Sequence, residues 1–88
     1  MELINITSEN YRLALSGRWK LVFWVPWAKP SVECMRHSET QPFEGSVGLI
    51  NVEENRELSE QHSVFIYPTT IYMLDGGEQS RDIGFEVY

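Results

Sequence analysis

An α/β domain built on a central mixed sheet is what this sequence predicts, and three observations carry the prediction. Two nearly continuous apolar runs, residues 21–25 (LVFWV) and 47–52 (VGLINV), read as strands buried on both faces. Segments with helix start and stop signals lie between the strands, and such alternation implies right-handed crossovers and parallel pairing. Asp75-Gly76-Gly77 is a hairpin signal, because the turn needs successive residues with positive φ and glycine adopts them at little cost. The hairpin adds antiparallel strands, so the order reads β-α-β-α-β-α-β-β and the sheet is mixed.

Each element has its own warrant. The first strand is expected at residues 3–6 (LINI). Thr7 or Ser8 can cap a helix after it, with Glu9 near the positive end of the helix dipole. Tyr11, Ala14 and Leu15 fall at i, i+3 and i+4 on one apolar face, and Gly17 is a natural stop. Lys20 precedes the central strand, which Pro26 closes. Pro30 suits the first turn of the next helix, where its missing N–H costs little, and Pro42 and Gly45 limit that helix to about residues 30–38. After residues 47–52, Asn55 can cap a short helix that contains Leu58 and ends near His62 or Ser63. Tyr67-Pro68 interrupts the chain, residues 70–74 form a strand, and the last strand is expected at residues 80–87.

Composition narrows the function. At 88 residues the chain is expected to be one domain, near the lower end of what buries a self-sufficient core. Its 42% hydrophobic and 12% aromatic content is that of a folded interior rather than a disordered chain. A formal net charge of −6 argues against a general nucleic-acid binder, which needs a basic face to neutralise phosphates. The single cysteine, Cys34, excludes an internal disulfide and makes a cysteine-rich metal site implausible. Cys34 reads foremost as a small buried apolar residue. His37 and His62 lack a second ligand at metal spacing, so neither a metal nor a cofactor is expected. No charged-then-apolar leader opens the sequence and no apolar run is long enough to cross a bilayer, which makes the cytoplasm the expected compartment and a membrane role unexpected.

The stretch from Phe23 to Ser31, FWVPWAKPS, resembles the thioredoxin family's F-W-x-x-W-C-x-P-C frame at every position except the two cysteines. Ile50-Asn51-Val52-Glu53 through Tyr67-Pro68-Thr69 resembles the family's next strand, short helix and proline turn. Asp75-Gly76-Gly77-Glu78 followed by Ile83-Gly84 resembles its last hairpin. The resemblance implies a thioredoxin-like fold over residues 1–88, without the family's usual C-terminal helix, so that one sheet face is only partly covered. It also implies thiol–disulfide exchange on protein disulfides, with an upstream reductant as second partner. In that chemistry a thiolate at a helix N-terminus attacks, and a thiol one turn on resolves the mixed disulfide.

Carried over residue by residue, the attacking position is Ala28 and the resolving position is Ser31. Trp27, Lys29, Pro30, Tyr67, Pro68, Gly84 and Phe85 would line the substrate groove, with Pro68 in a cis peptide bond. The resemblance places the family's buried acid at Val22 and its lysine neighbour at Leu49, both apolar here. Ala28 has no nucleophile, and the Ser31 hydroxyl would need a positioned base that the sequence does not offer, so this chain is expected to be inactive in disulfide exchange. Ala and Ser are small replacements for a Cys pair in an otherwise intact frame, which points to engineered substitution in a Cys-containing parent. The alternative is a natural non-catalytic binding module that uses the cis-proline groove or the uncovered sheet face, where apolar exposure could also drive self-association.

Overall fold

The apolar run around Phe23 occupies the middle of the sheet. In this computed structural model, which describes residues 2–84, the elements are β1 (Glu2–Asn5), a 3₁₀ helix (Tyr11–Leu15), β2 (Arg18–Trp24), α1 (Lys29–Thr40), β3 (Ser46–Asn51), α2 (Arg56–Gln61), β4 (Thr69–Leu74) and β5 (Gly77–Ile83). The five strands lie in the order β1-β3-β2-β4-β5. β2 runs parallel to β3, with Val22 beside Leu49, and antiparallel to β4, with Leu21 opposite Ile71. β1 is parallel to β3, and β4–β5 is the antiparallel hairpin.

Alternation along β2 divides the core. Trp19, Leu21 and Phe23 point to one face and join Ile6, Ala14, Ile50, Leu58, Val64, Ile71 and Met73 in the larger cluster. Val22 points to the other face, where it packs with Val47, Leu49 and Cys34 of α1. Gly48 is required by the first layer. A Cβ there would come within 2.8 Å of both Ile6 Cγ1 and Leu21 Cδ2, so only glycine lets β1 and β2 close over it.

The hairpin is as expected in kind. Asp75 (φ 48°) and Gly76 (φ 83°) form its turn, and β5 begins at once at Gly77 rather than at residue 80. Asp75 is pinned across the sheet end: its N–H donates to the Gly17 carbonyl at 2.9 Å and its Oδ1 accepts the Gly17 N–H at 2.8 Å.

The structure corrects the first helix. Tyr11–Leu15 is a five-residue 3₁₀ turn rather than an α-helix; Ala14 is buried, whereas Leu15 is 47% exposed. Neither Thr7 nor Ser8 caps it. The preceding residue is Asn10, whose side chain instead accepts the Thr7 N–H at 2.7 Å. So few residues before the positive φ of Gly17 cannot repay the nucleation cost of an α-helix, and a tighter turn results. α1 runs two residues past the expected end because its limit is Gln41, held extended (φ −77°, ψ 123°) by the following Pro42. Residues 85–87 of the expected last strand, and any sequence where a final helix would lie, fall outside the described residues. Among the described residues, no helix is long and apolar enough to cross a membrane.

Candidate functional site

The FWVPWAKPS stretch turns the end of β2 into the start of α1. Ala28 is the N-cap, with Lys29, Pro30 and Ser31 in the first turn, and no side chain caps the helix at this end. Trp27 stands out from the turn, 72% exposed, and Lys29 and Pro30 are exposed beside it. Ala28 is half-buried against the larger core.

Ser31 faces the other way and has no solvent exposure. Its Oγ accepts the Val25 N–H at 2.9 Å and donates to the Val25 carbonyl at 2.6 Å, with the Ala28 carbonyl 3.0 Å away. Val25 lies just beyond the last ladder residue of β2, and the Ser31 hydroxyl takes the place of a neighbouring strand for both of its backbone groups. The hydroxyl's single proton is thereby committed to a carbonyl, and no base contacts it. Chemically, the turn presents neither a nucleophile at position 28 nor an activated one at position 31.

Tyr67 and Pro68 approach from the loop before β4. The Tyr67–Pro68 peptide bond is cis, Pro68 is buried, and Gly84 is tied to this loop by its N–H donating to the Pro68 carbonyl at 2.8 Å. The Tyr67 phenol bonds Ser59 Oγ of α2 at 3.1 Å, which fixes the loop to that helix. Trp27 and Tyr67 share a hollow of about 260 Å³ with Phe65, Arg56, Glu53 and Glu60. Lys29, Pro30, Pro68 and Gly84 do not line it, and Gly84 lies instead on the wall of a second hollow, with Cys34 and Ser38 of α1, so the structure does not gather the expected groove residues into one hollow. Phe85 lies outside the described residues.

No family model matches the chain. A thioredoxin from Chlamydia pneumoniae is 28% identical over 85 residues, covering 92% of this chain and 83% of that protein. Among solved structures, a thioredoxin pre-protein from Schistosoma mansoni superposes with a TM-score of 0.77 at 14% identity, over 96% of this chain and 87% of that one. A mutant thioredoxin from Halobacterium salinarum gives 0.79 at 19% identity, over 98% and 80%. The fold is thioredoxin-like.

Within the thioredoxin-like frame, the positions taken as the buried acid and its lysine neighbour become interpretable. Val22 and Leu49 are register partners on β2 and β3, and both pack against Cys34. Their joint apolar character leaves no lone charge between sheet and helix. Cys34 is buried with its Sγ 4.0 Å from Thr70 Oγ1. Burial pushes its thiol pKa up, which Thr70, Lys20 and Ser38 only partly oppose. A raised pKa is the reverse of what an attacking thiol needs.

Sequence reasoning missed the residues that complete the hollow. Phe65, 70% exposed, shares the hollow with the 72% exposed Trp27, together with Glu53 and Glu60, and its chain neighbour Ile66 is 58% exposed. The available signal was the run Val64-Phe65-Ile66-Tyr67 directly before a proline. Only Val64 of that run is fully buried, so the rest is apolar surface at the turn. Among the described residues, no group of His, Cys, Asp and Glu could hold a metal ion.

Proposed function

We propose that this thioredoxin-like chain holds extended protein segments non-covalently in the groove formed by Trp27, Lys29, Pro30, Tyr67, Pro68 and Gly84, and is silent in disulfide exchange. The observation that carries the reading is the contrast between two neighbours. Trp27 is presented to solvent at 72% exposure, while the Ser31 hydroxyl is withdrawn into hydrogen bonds with Val25. A binding surface is kept where a reacting centre is not. Exposed apolar surface from Trp27, Phe65 and Ile66 supplies the attraction, and the open backbone beside Pro68 supplies hydrogen bonds to an added extended segment.

A second reading is favoured by the same geometry. Ser31 points inward at the position of a resolving thiol, one turn along the helix from Ala28, so a cysteine-containing parent could exchange protein disulfides and draw on an upstream reductant.

One experiment separates the two. The unsubstituted chain and the Ala28→Cys/Ser31→Cys variant are assayed for insulin-disulfide reduction with dithiothreitol, and for binding of a panel of cysteine-free extended peptides by tryptophan fluorescence. The binding reading expects peptide affinity in the unsubstituted chain, lost in Trp27→Ala, with no turnover. A variant that forms a reversible disulfide with a reducing potential, about −270 mV as in thioredoxin, and turns over insulin supports the exchange-competent parent. Turnover by the unsubstituted chain, or absence of any peptide affinity, refutes the binder.

A further inference from the structure

The hollow shared by Trp27 and Tyr67 has room for one side chain rather than a whole small molecule. At about 260 Å³ it falls below the roughly 300–1,000 Å³ of sites that take up small ligands. Its hydroxyls are already engaged. Ser59 is buried, and its Oγ donates to the Val64 carbonyl and meets the Tyr67 phenol at 3.1 Å. The other uncharged lining is the apolar surface of Val25, Val52, Trp27 and Phe65.

The charged lining is Glu53, Arg56 and Glu60, all exposed. Arg56 and Glu60 lie four residues apart on α2, on the face that carries Ser59, and Glu53 precedes the helix. Among the described residues, none of these three side chains has an ion-pair or hydrogen-bond partner. The balance is acidic: two carboxylates stand against one guanidinium, in a chain of net charge −6. Lys29 is exposed on the Trp27 turn but does not line the hollow.

This lining discriminates among side chains. An acidic one would gain one favourable neighbour and meet two like charges. A purely apolar one would cover carboxylates without replacing their water. A lysine or arginine suits both parts, because its methylene stem can lie on apolar surface while its charge stays beside the carboxylates. The rings of Trp27 and Phe65 attract the cation further.

We infer that the segment held in the groove carries a lysine or arginine whose side chain occupies this hollow, with Glu53 and Glu60 as its charge partners. This specificity presupposes the groove proposed above.

The test is a positional scan of a cysteine-free extended peptide, with arginine, lysine, norleucine or glutamate placed in turn at each position, followed by tryptophan fluorescence. At one position, arginine and lysine should bind roughly three- to tenfold tighter than norleucine, as for an exposed ion pair joined to a cation–π contact, with glutamate weakest. The ratio of arginine to norleucine affinities should fall toward one in Glu53→Gln/Glu60→Gln and at high ionic strength, and rise in Arg56→Gln. All three residues are exposed, so these variants are expected to fold, which circular dichroism checks. Binding without a preference for a cation at any position, or a ratio unchanged in the double variant, would overturn the specificity and leave the groove standing. Absence of binding by every peptide would overturn the groove, and the specificity with it.

Discussion

Ser31→Ala isolates what the withdrawn hydroxyl contributes. The Val25 carbonyl keeps a long contact from the Ala28 N–H at 3.4 Å, but the Val25 N–H loses the Ser31 oxygen, and both residues are buried. A buried donor left unsatisfied costs about 1–3 kcal/mol, and the weakened carbonyl adds to it, so a loss of about 2 kcal/mol is expected. Urea unfolding of a chain this small has a slope of about 1 kcal/mol/M, which lowers the midpoint by roughly 2 M. Ser31→Cys should fall between wild type and alanine, because a thiol is only a weak donor and acceptor. A loss below about 0.5 kcal/mol for Ser31→Ala would show that the hydroxyl is not the structural partner of Val25, and would reopen it as a reactive group.

Two further outcomes concern the larger architecture. The Trp19 indole N–H donates to the Ser16 carbonyl at 2.9 Å, while that of Trp24 is buried with no partner among the described residues. Trp19→Phe should therefore cost more than Trp24→Phe by roughly 1–3 kcal/mol in urea unfolding, and equal costs would contradict the assignment. His62 has its pKa lowered chiefly by desolvation, with Glu78 opposing and Arg81 adding to the effect; its Nε2 pairs with the Tyr11 hydroxyl. The unfolded chain then binds the proton more readily, so this stability is complete above the unfolded pKa of about 6.5 and declines as pH falls through that value toward the lower folded pKa. Unfolding midpoints should drop between about pH 7.5 and pH 5.5, and His62→Gln should flatten that slope.

Much of the architecture was legible in the residues because it depends on local pattern. Asp75-Gly76 can only be a tight turn, LVFWV can only be a strand buried on both faces, and Ala28 cannot attack a disulfide in any fold. Pro30 after Trp27 marked the start of α1, and the residues flanking it located the groove. What periodicity records is which side of an element is apolar. It does not record what comes to cover that side.

The tertiary structure decided the points that depend on such covering. Tyr11, Ala14 and Leu15 have helical spacing, yet the short path to Gly17 leaves room only for a 3₁₀ turn, and Leu15 stays exposed. Phe65 and Ile66 belong to an apolar run but are exposed, with Phe65 sharing the hollow of Trp27. Ser31 reads as a vacant catalytic position and proves to be a strand-end partner for Val25, a contact between residues whose orientation no local pattern encodes. Lys20 reads as the polar residue before a strand and lies within it, in register with Tyr72 of β4. The sequence by itself determined which residues can do chemistry, because that is a property of side-chain atoms. Only the fold decided which of them meet a partner, because burial and hydrogen bonding depend on segments far apart in the chain.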